Sequence, residues 1–294
     1  MAATTTTGQE IYSKQFFKAL TPMLAPIREF STDLSQEAKG FGESVSVQLI
    51  TPDTVADFDR ANNNFKRQAS TNKKVTVTFD TPKIVGFNVT PFQLQNFNPG
   101  WWKEKANLNA SQMAKALLTD FVANVTAANF EKGKTIASDS AITLKEIAAI
   151  RTYCAQNDIN PADAVLMLNY TLYHDLANLY NTTKSGVTAG QALSELALAC
   201  GFKAVHAAPV LPEGLLGFAA LPSALAFAGR NFRPASDKPY ESVREITDPE
   251  TGFGMTMVEY CDGDTGELNE SVTGMAGSEV GVGDALIRIT KAGG

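Results

Sequence analysis

Val45-Ser46-Val47-Gln48-Leu49, then a polar and basic run over residues 58–83, then an unbroken amphipathic stretch over residues 111–130: these segments, in this order, decide the fold. The first alternates apolar and polar residues, which is the mark of a strand with one buried face. The second carries Arg60, Lys66, Arg67, Lys73, Lys74 and Lys83 against Asp59 and Asp80, and it returns through two strands. Val75, Val77 and Phe79 alternate with Thr76 and Thr78 in one of them, and residues 84–89 form the other after turn chemistry at Asp80-Thr81-Pro82-Lys83. In the third segment Met113, Leu117, Phe121 and Val125 recur every four residues, and Ala114, Leu118 and Val122 widen the stripe. About twenty residues at 1.5 Å rise predict a rod of roughly 30 Å. Asn109 and Gln112 offer a box-like start for it and Gly133 a stop. A long hairpin with a polar face needs a surface outside its own domain to lie on, so the design points to assembly rather than catalysis.

The chain of 294 residues is long enough for one large or two modest domains with a real core. A formal charge of -6 argues against tight, phosphate-driven nucleic-acid binding, which needs clustered Lys and Arg. Cys154, Cys200 and Cys261 are odd in number and far apart, so no disulfide framework is implied and reduced cytosolic synthesis is expected. Residues 1–8 lack a basic and an apolar region, so no signal peptide is expected there. The apolar run over residues 214–229 is too short for a membrane span and is broken by Pro222. It reads as a buried strand, a turn and a short core helix over residues 222–228.

Residues 1–40 read as an arm. Ile11, Phe16, Phe17 and Leu20 give it a partly apolar face, while Pro22 and Pro26 are expected to stop any long helix. With so little apolar surface the arm cannot fold alone and must lie on the rest of the protein or on a neighbour; residues 1–30 are expected to make few contacts within their own subunit and to order on a neighbour. After the long helix come alternating helices and strands. Thr143 and Glu146 cap a helix through Gln156, and a short apolar strand covers residues 164–168. Helices follow at 170–180 and 191–200, and strands at 202–207 and 215–219. The region from Tyr240 onward is β-rich and acidic: strands at 242–247 and 254–260 form a hairpin, and a last strand covers 285–290. A basic loop and an acidic sheet suit complementary contacts between copies of the chain.

Motifs for bond-making chemistry do not emerge. His174 and His206 lack partners at metal-ligand spacing and read as structural. Asp262-Gly263-Asp264-Thr265-Gly266-Glu267 departs from a calcium loop and reads as an acidic hairpin turn. Gly281-Val282-Gly283 lacks the third glycine of a dinucleotide fingerprint. Trp101 and Trp102 could form a carbohydrate platform, but an apolar anchor at the base of the long helix is the better reading. No cofactor and no metal are implied.

Taken in order, these pieces resemble the major capsid protein of tailed double-stranded DNA bacteriophages, the Hong Kong 97-type fold. The resemblance implies an α+β chain: an N-terminal arm at 1–40, a P-domain strand region at 41–57, an extended E-loop hairpin at 58–90, and a P-domain stretch with the spine helix at 91–141. A mixed α/β A-domain at 142–233 and a β-rich P-domain return with C-terminal strands at 234–294 complete it. Gly217-Phe218-Ala219-Ala220-Leu221-Pro222-Ser223 and its continuation to Arg230 look like the late A-domain strand and helix of such coats. The function implied is structural and not enzymatic: a coat subunit that self-assembles through pentamers and hexamers into an icosahedral shell around phage DNA held without sequence-specific binding. Phe16, Phe17, Arg60, Lys66, Arg67, Lys73 and Lys74 are the candidate inter-subunit contacts. A separate scaffolding protein, a portal and a decoration protein are the implied partners; no membrane is. The virion is the implied location, after assembly in the host bacterial cytoplasm. Some members cross-link a lysine to an asparagine with a glutamate's help, and no such residues are carried over here. A bacterial encapsulin-type shell protein is the close alternative, and a carbohydrate-binding or tail-associated protein the more distant one.

Overall fold

The structure, a computed structural model, describes residues 2–35, 43–50, 72–79, 82–96, 98–183, 196–197, 199–238, 240–247 and 253–292. In chain order the elements are α1 (Ala2–Glu29), β1 (Ser31–Asp33), β2 (Ser44–Ile50), β3 (Asn72–Thr78), β4 (Lys83–Val89), α2 (Pro91–Asn96) and α3 (Pro99–Val122). There follow β5 (Gly133–Ile136), α4 (Leu144–Gln156), β6 (Val165–Asn169), α5 (Tyr170–Thr183), β7 (Ala204–Ala208), β8 (Leu215–Ala220) and β9 (Leu225–Asn231). The chain closes with β10 (Ser242–Thr247), β11 (Gly254–Cys261), β12 (Leu268–Val280) and β13 (Leu286–Lys291).

The long helix exists, with different ends. It begins at Pro99, whose missing N–H costs nothing in a first turn, and Asn98 Oδ1 caps it by accepting from the Trp101 amide at 2.9 Å. It therefore starts twelve residues ahead of the expected Ser111, and Asn109 is a buried mid-helix residue rather than a cap. The stripe Met113, Leu117, Leu118, Phe121 and Val122 is buried as its spacing requires. The helix stops at Val122. Asn124 Nδ2 then donates to Ser278 Oγ on β12 at 2.8 Å and fixes the exit of the chain.

The arm is the larger departure. α1 is one helix of 28 residues with Pro22 and Pro26 inside it. Each proline costs about 3 kcal/mol in a helix interior. Against this, Phe16, Leu20, Leu24 and Ile27 are each at most 5% exposed, at roughly 1.5–3 kcal/mol per buried side chain. Together with Tyr12 they outweigh two prolines, and the helix persists because it is packed. α1 runs alongside α3 in the same direction: Gly8 lies at Trp102, Tyr12 at Asn109 and Phe30 at Phe121. The approach at Gly8 demands glycine, since a Cβ there would lie 2.6 Å from Trp102 Cε2.

Beneath these helices lies a six-stranded sheet among the described residues, in the order β1-β9-β12-β11-β10 with β4 also on β12. β12 is its 13-residue centre: Leu268 to Gly274 pairs with β4, and Met275 to Val280 with β9. A second sheet, β5-β13-β8-β6-β7, carries α4 and α5 over a separate core that includes Ile147, Ile150, Leu172 and Leu176. The predicted capping box is present there: Thr143 Oγ1 accepts from the Glu146 amide, and Glu146 Oε2 accepts from the Thr143 amide.

Two expected boundaries move. Residues 225–231 are strand β9, not part of a short helix, because every residue from Leu225 to Gly229 is buried between β1 and β12. β9 thereby belongs to the six-stranded sheet, and the chain leaves the second sheet after Ala220 rather than at 233. The last strand, β13, pairs with β5 and β8 in the second sheet. The C-terminus thus ties the two layers together.

Candidate assembly surfaces

β2 and β3 form a two-stranded stem, in register from Ser44 opposite Thr78 to Ile50 opposite Asn72. Its alternation sorts the side chains onto two faces. Leu49, Val75 and Val77 are buried against Leu34, Ala226 and Ala228. Ser44, Ser46, Gln48, Lys74 and Thr76 face outward, and the hydroxyls of Ser46 and Thr76 are 2.8 Å apart. The stem therefore stands on its own subunit and shows one polar face. Gly277 on β12 allows the stem so close that a Cβ there would overlap the Thr78 carbonyl oxygen.

The basic residues divide accordingly. Arg60, Lys66 and Arg67 lie outside the described residues. Lys73 Nζ donates to the Gly281 carbonyl of its own chain, while Lys74 is exposed on the outer face. Lys83 is in β4, within the main sheet rather than the hairpin, and pairs with Asp120 of α3 at 2.7 Å. Phe16 is fully buried in its own subunit beside α3, and Phe17 is half-buried with its ring 5.7 Å from that of Phe16. The expectation that residues 1–30 make few contacts within their own subunit is overturned, since the i, i+4 series Tyr12, Phe16, Leu20, Leu24 closes over α3.

Apolar side chains remain open at separate places: Ile84 is 69% exposed, Phe92 77%, Leu108 59% and Leu144 56%. On the outer face of the main sheet Ile84, Phe232, Tyr240 and Tyr260 line a depression of about 520 Å³. The turn from β11 to β12 is the acidic hairpin turn read from the sequence: Asp262 Oδ1 accepts from the amides of Asp264 and Thr265, which holds its carboxyl below the usual range.

The tryptophans are an anchor. Trp102 is 4% exposed, and the rings of Trp101, Trp102 and Phe87 meet edge-on at 5.0 to 5.9 Å. His206 Nε2 lies 2.9 Å from Glu29 Oε2, joining the end of α1 to β7, and His174 stacks on Tyr170. Among the described residues no group of His, Cys, Asp and Glu could hold a metal, and no helix is long and apolar enough to cross a membrane. Burial pushes the thiols of Cys154 and Cys200 up to about 11. It also pushes Glu270 up to about 8, with the neighbouring Glu259 adding to the effect. The polar sequence around Glu270 hid β12 from the pattern analysis.

A helix-covered sheet, a second α/β layer, a long helix between them and a hairpin stem standing off the sheet define the Hong Kong 97-type capsid fold. Solved structures share this fold with the chain. The capsid of the cyanophage P-SCSP1u is 13% identical at a TM-score of 0.56, covering 90% of this chain and 87% of that one. The capsid of a native GTA particle is 12% identical at 0.54, covering 90% and 89%. A virus-like particle from Pyrococcus furiosus is 12% identical at 0.52, covering 95% and 99%. No family model and no curated protein matches the sequence.

Proposed function

We propose that this chain is a major capsid protein that self-assembles, through pentamers and hexamers, into an icosahedral shell enclosing phage double-stranded DNA. The observation that carries this reading is the fold, shared with capsid subunits over about nine-tenths of the chain. Residues 1–40 act as the arm, seated on their own subunit through α1, and the E-loop, the stretch that precedes β4, crosses to a neighbour from the stem formed by β2 and β3. Lys74 and the stretch with Arg60, Lys66 and Arg67 meet carboxylates of that neighbour, and Phe17 and Lys73 sit near the seams.

The physical logic is summation. A subunit with a polar stem, scattered apolar residues and an acidic sheet makes many weak contacts, each reversible, which together close a shell. A net negative subunit suits a DNA container, because a strongly basic wall would grip the genome and hinder its release. The subunit is structural rather than enzymatic and takes no cofactor. A separate scaffolding protein, a portal and a decoration protein are its partners, and assembly takes place in the host bacterial cytoplasm before the coat becomes part of the virion.

Electron microscopy of the purified full-length chain, expressed alone and with a candidate scaffolding protein, tests the reading. Closed shells of uniform diameter are expected, with nuclease-protected DNA inside those recovered from infection. A chain that stays monomeric under both conditions would overturn it.

A further inference from the structure

A cleft of about 270 Å³ opens where α1, α3 and the second layer meet. On α3 the spacing i, i+3, i+4, i+7 puts Ser111, Ala114, Lys115 and Leu118 on one side, where the buried stripe of the helix gives way to its exposed face. Ala114 and Leu118 form the floor together with Met167 of β6, each at most 4% exposed. Tyr170, 52% exposed, stands at the mouth with its ring stacked on that of His174.

Polar recognition in this cleft has few sources. Lys115, exposed at the mouth, is the one charged side chain lining it among the described residues. Glu29, one turn beyond Pro26 on α1, is taken up by His206 Nε2 at 2.9 Å. Pro22 and Pro26 of α1 and Pro209 after β7 bring apolar rings to the walls and no N–H. An extended peptide therefore finds no backbone donors at those three positions, whereas such donors carry strand-like peptide recognition. What remains is the Lys115 ammonium and the hydroxyls of Ser111 and Tyr170.

The geometry points to a binding site for a medium-chain monocarboxylate, its alkyl chain lying on Ala114, Leu118 and Met167 and its carboxylate held at Lys115. An apolar slot with a single ammonium at its mouth is complementary to one apolar chain with a single negative end. The volume sits near the lower limit of small-molecule pockets, about 300 Å³, which suits a short chain rather than a large ligand. A bound acid touches α1, α3 and the second layer at once, so it stabilises the folded subunit. The site belongs to the single subunit and stands whether or not shells form.

The purified full-length chain is titrated by calorimetry with sodium decanoate below its micelle concentration, at about pH 7.5, where a carboxylate is ionised and a lysine charged. Sodium hexanoate, decanol and acetyl-leucyl-leucine serve as comparisons. Decanoate should bind with saturation at one per subunit and raise the thermal unfolding midpoint. Hexanoate should bind more weakly, by up to about fourfold for each methylene lost. Lys115→Gln should weaken decanoate by up to about fivefold, the range of an exposed ion pair, and leave decanol unchanged. Ser111→Phe, a change at an exposed position, should exclude both. Decanoate that does not saturate, or whose affinity is unchanged in either variant, overturns the site. Saturable binding of acetyl-leucyl-leucine with none of decanoate overturns it as well, by assigning the cleft to the end of a protein chain.

Discussion

Asn109 Nδ2 donates to Tyr12 Oη at 2.9 Å inside the seam between α3 and α1. Both residues are buried, so this bond fixes the register of the two helices where apolar packing alone would tolerate a slide of one turn. Tyr12→Phe removes the acceptor and leaves the Asn109 amide without it. The expected cost is about 1–3 kcal/mol, read from urea unfolding, and Asn109→Leu added to Tyr12→Phe should recover part of it. Equal stability of Tyr12→Phe and the wild type would show that the bond contributes nothing.

Leu117 and Phe121 are at most 3% exposed on the stripe of α3. Leu117→Asp or Phe121→Asp buries an unpaired charge and should cost several kcal/mol, above the roughly 4–5 kcal/mol that marks an exceptional substitution. Loss of the soluble fold is the expected outcome. A stable protein with wild-type circular dichroism would show that the stripe is not packed.

Removal of residues 2–30 uncovers Met113, Leu117 and Phe121, against which α1 packs. A freely attached arm could be cut away without harm to the fold, but this one forms part of the core. The truncated chain should be insoluble or strongly destabilised, whatever its effect on assembly. A soluble truncation with an unchanged unfolding midpoint would return the arm to the surface.

Thiol labelling reads the core of the second layer. Cys154 and Cys200 are buried, with thiols pushed up to about 11 by desolvation, and Cys261 is exposed. One thiol should react with a disulfide reagent at pH 8 in the native protein and all three in urea. Rapid native labelling of all three would show that the second layer opens readily.

Lys74→Glu should leave subunit stability within about 0.5 kcal/mol of the wild type, as expected of an exposed site. It should weaken assembly and alter its salt dependence, measured by light scattering, because exposed charges are screened over about 10 Å at 0.1 M ionic strength. Lys73→Glu should also destabilise the subunit, since it places a carboxylate at the Gly281 carbonyl. Identical behaviour of the two variants would remove the distinction between inner and outer faces of the stem.

Where periodicity was uninterrupted, the reading from sequence matched the structure. Val45 to Leu49, Val75 to Val77, the stripe of α3 and the Thr143 capping box are local signals, and local signals suffice when a segment's own pattern agrees with its environment. Arg60, Lys66 and Arg67 remain assigned by charge alone, as they lie outside the described residues. The start of α3 was missed because Asn98-Pro99-Gly100 resembles a turn until the two following tryptophans find Phe87 and Gly8.

The order of strand, basic excursion and long helix, with the α/β block and the acidic β-rich return, was determined by the sequence itself, because alternation and helical spacing record which face of each element is buried. Tertiary structure alone decided three things. It made α1 a helix through two prolines, since Phe16, Leu20, Leu24 and Ile27 gain more by burial than the prolines remove. It made the polar β12 the centre of a sheet, because hydrogen bonds from β4, β9 and β11 do not depend on side-chain polarity. And it placed Glu270 opposite Glu259 under α1, a juxtaposition set by strand register, which no spacing along the chain encodes.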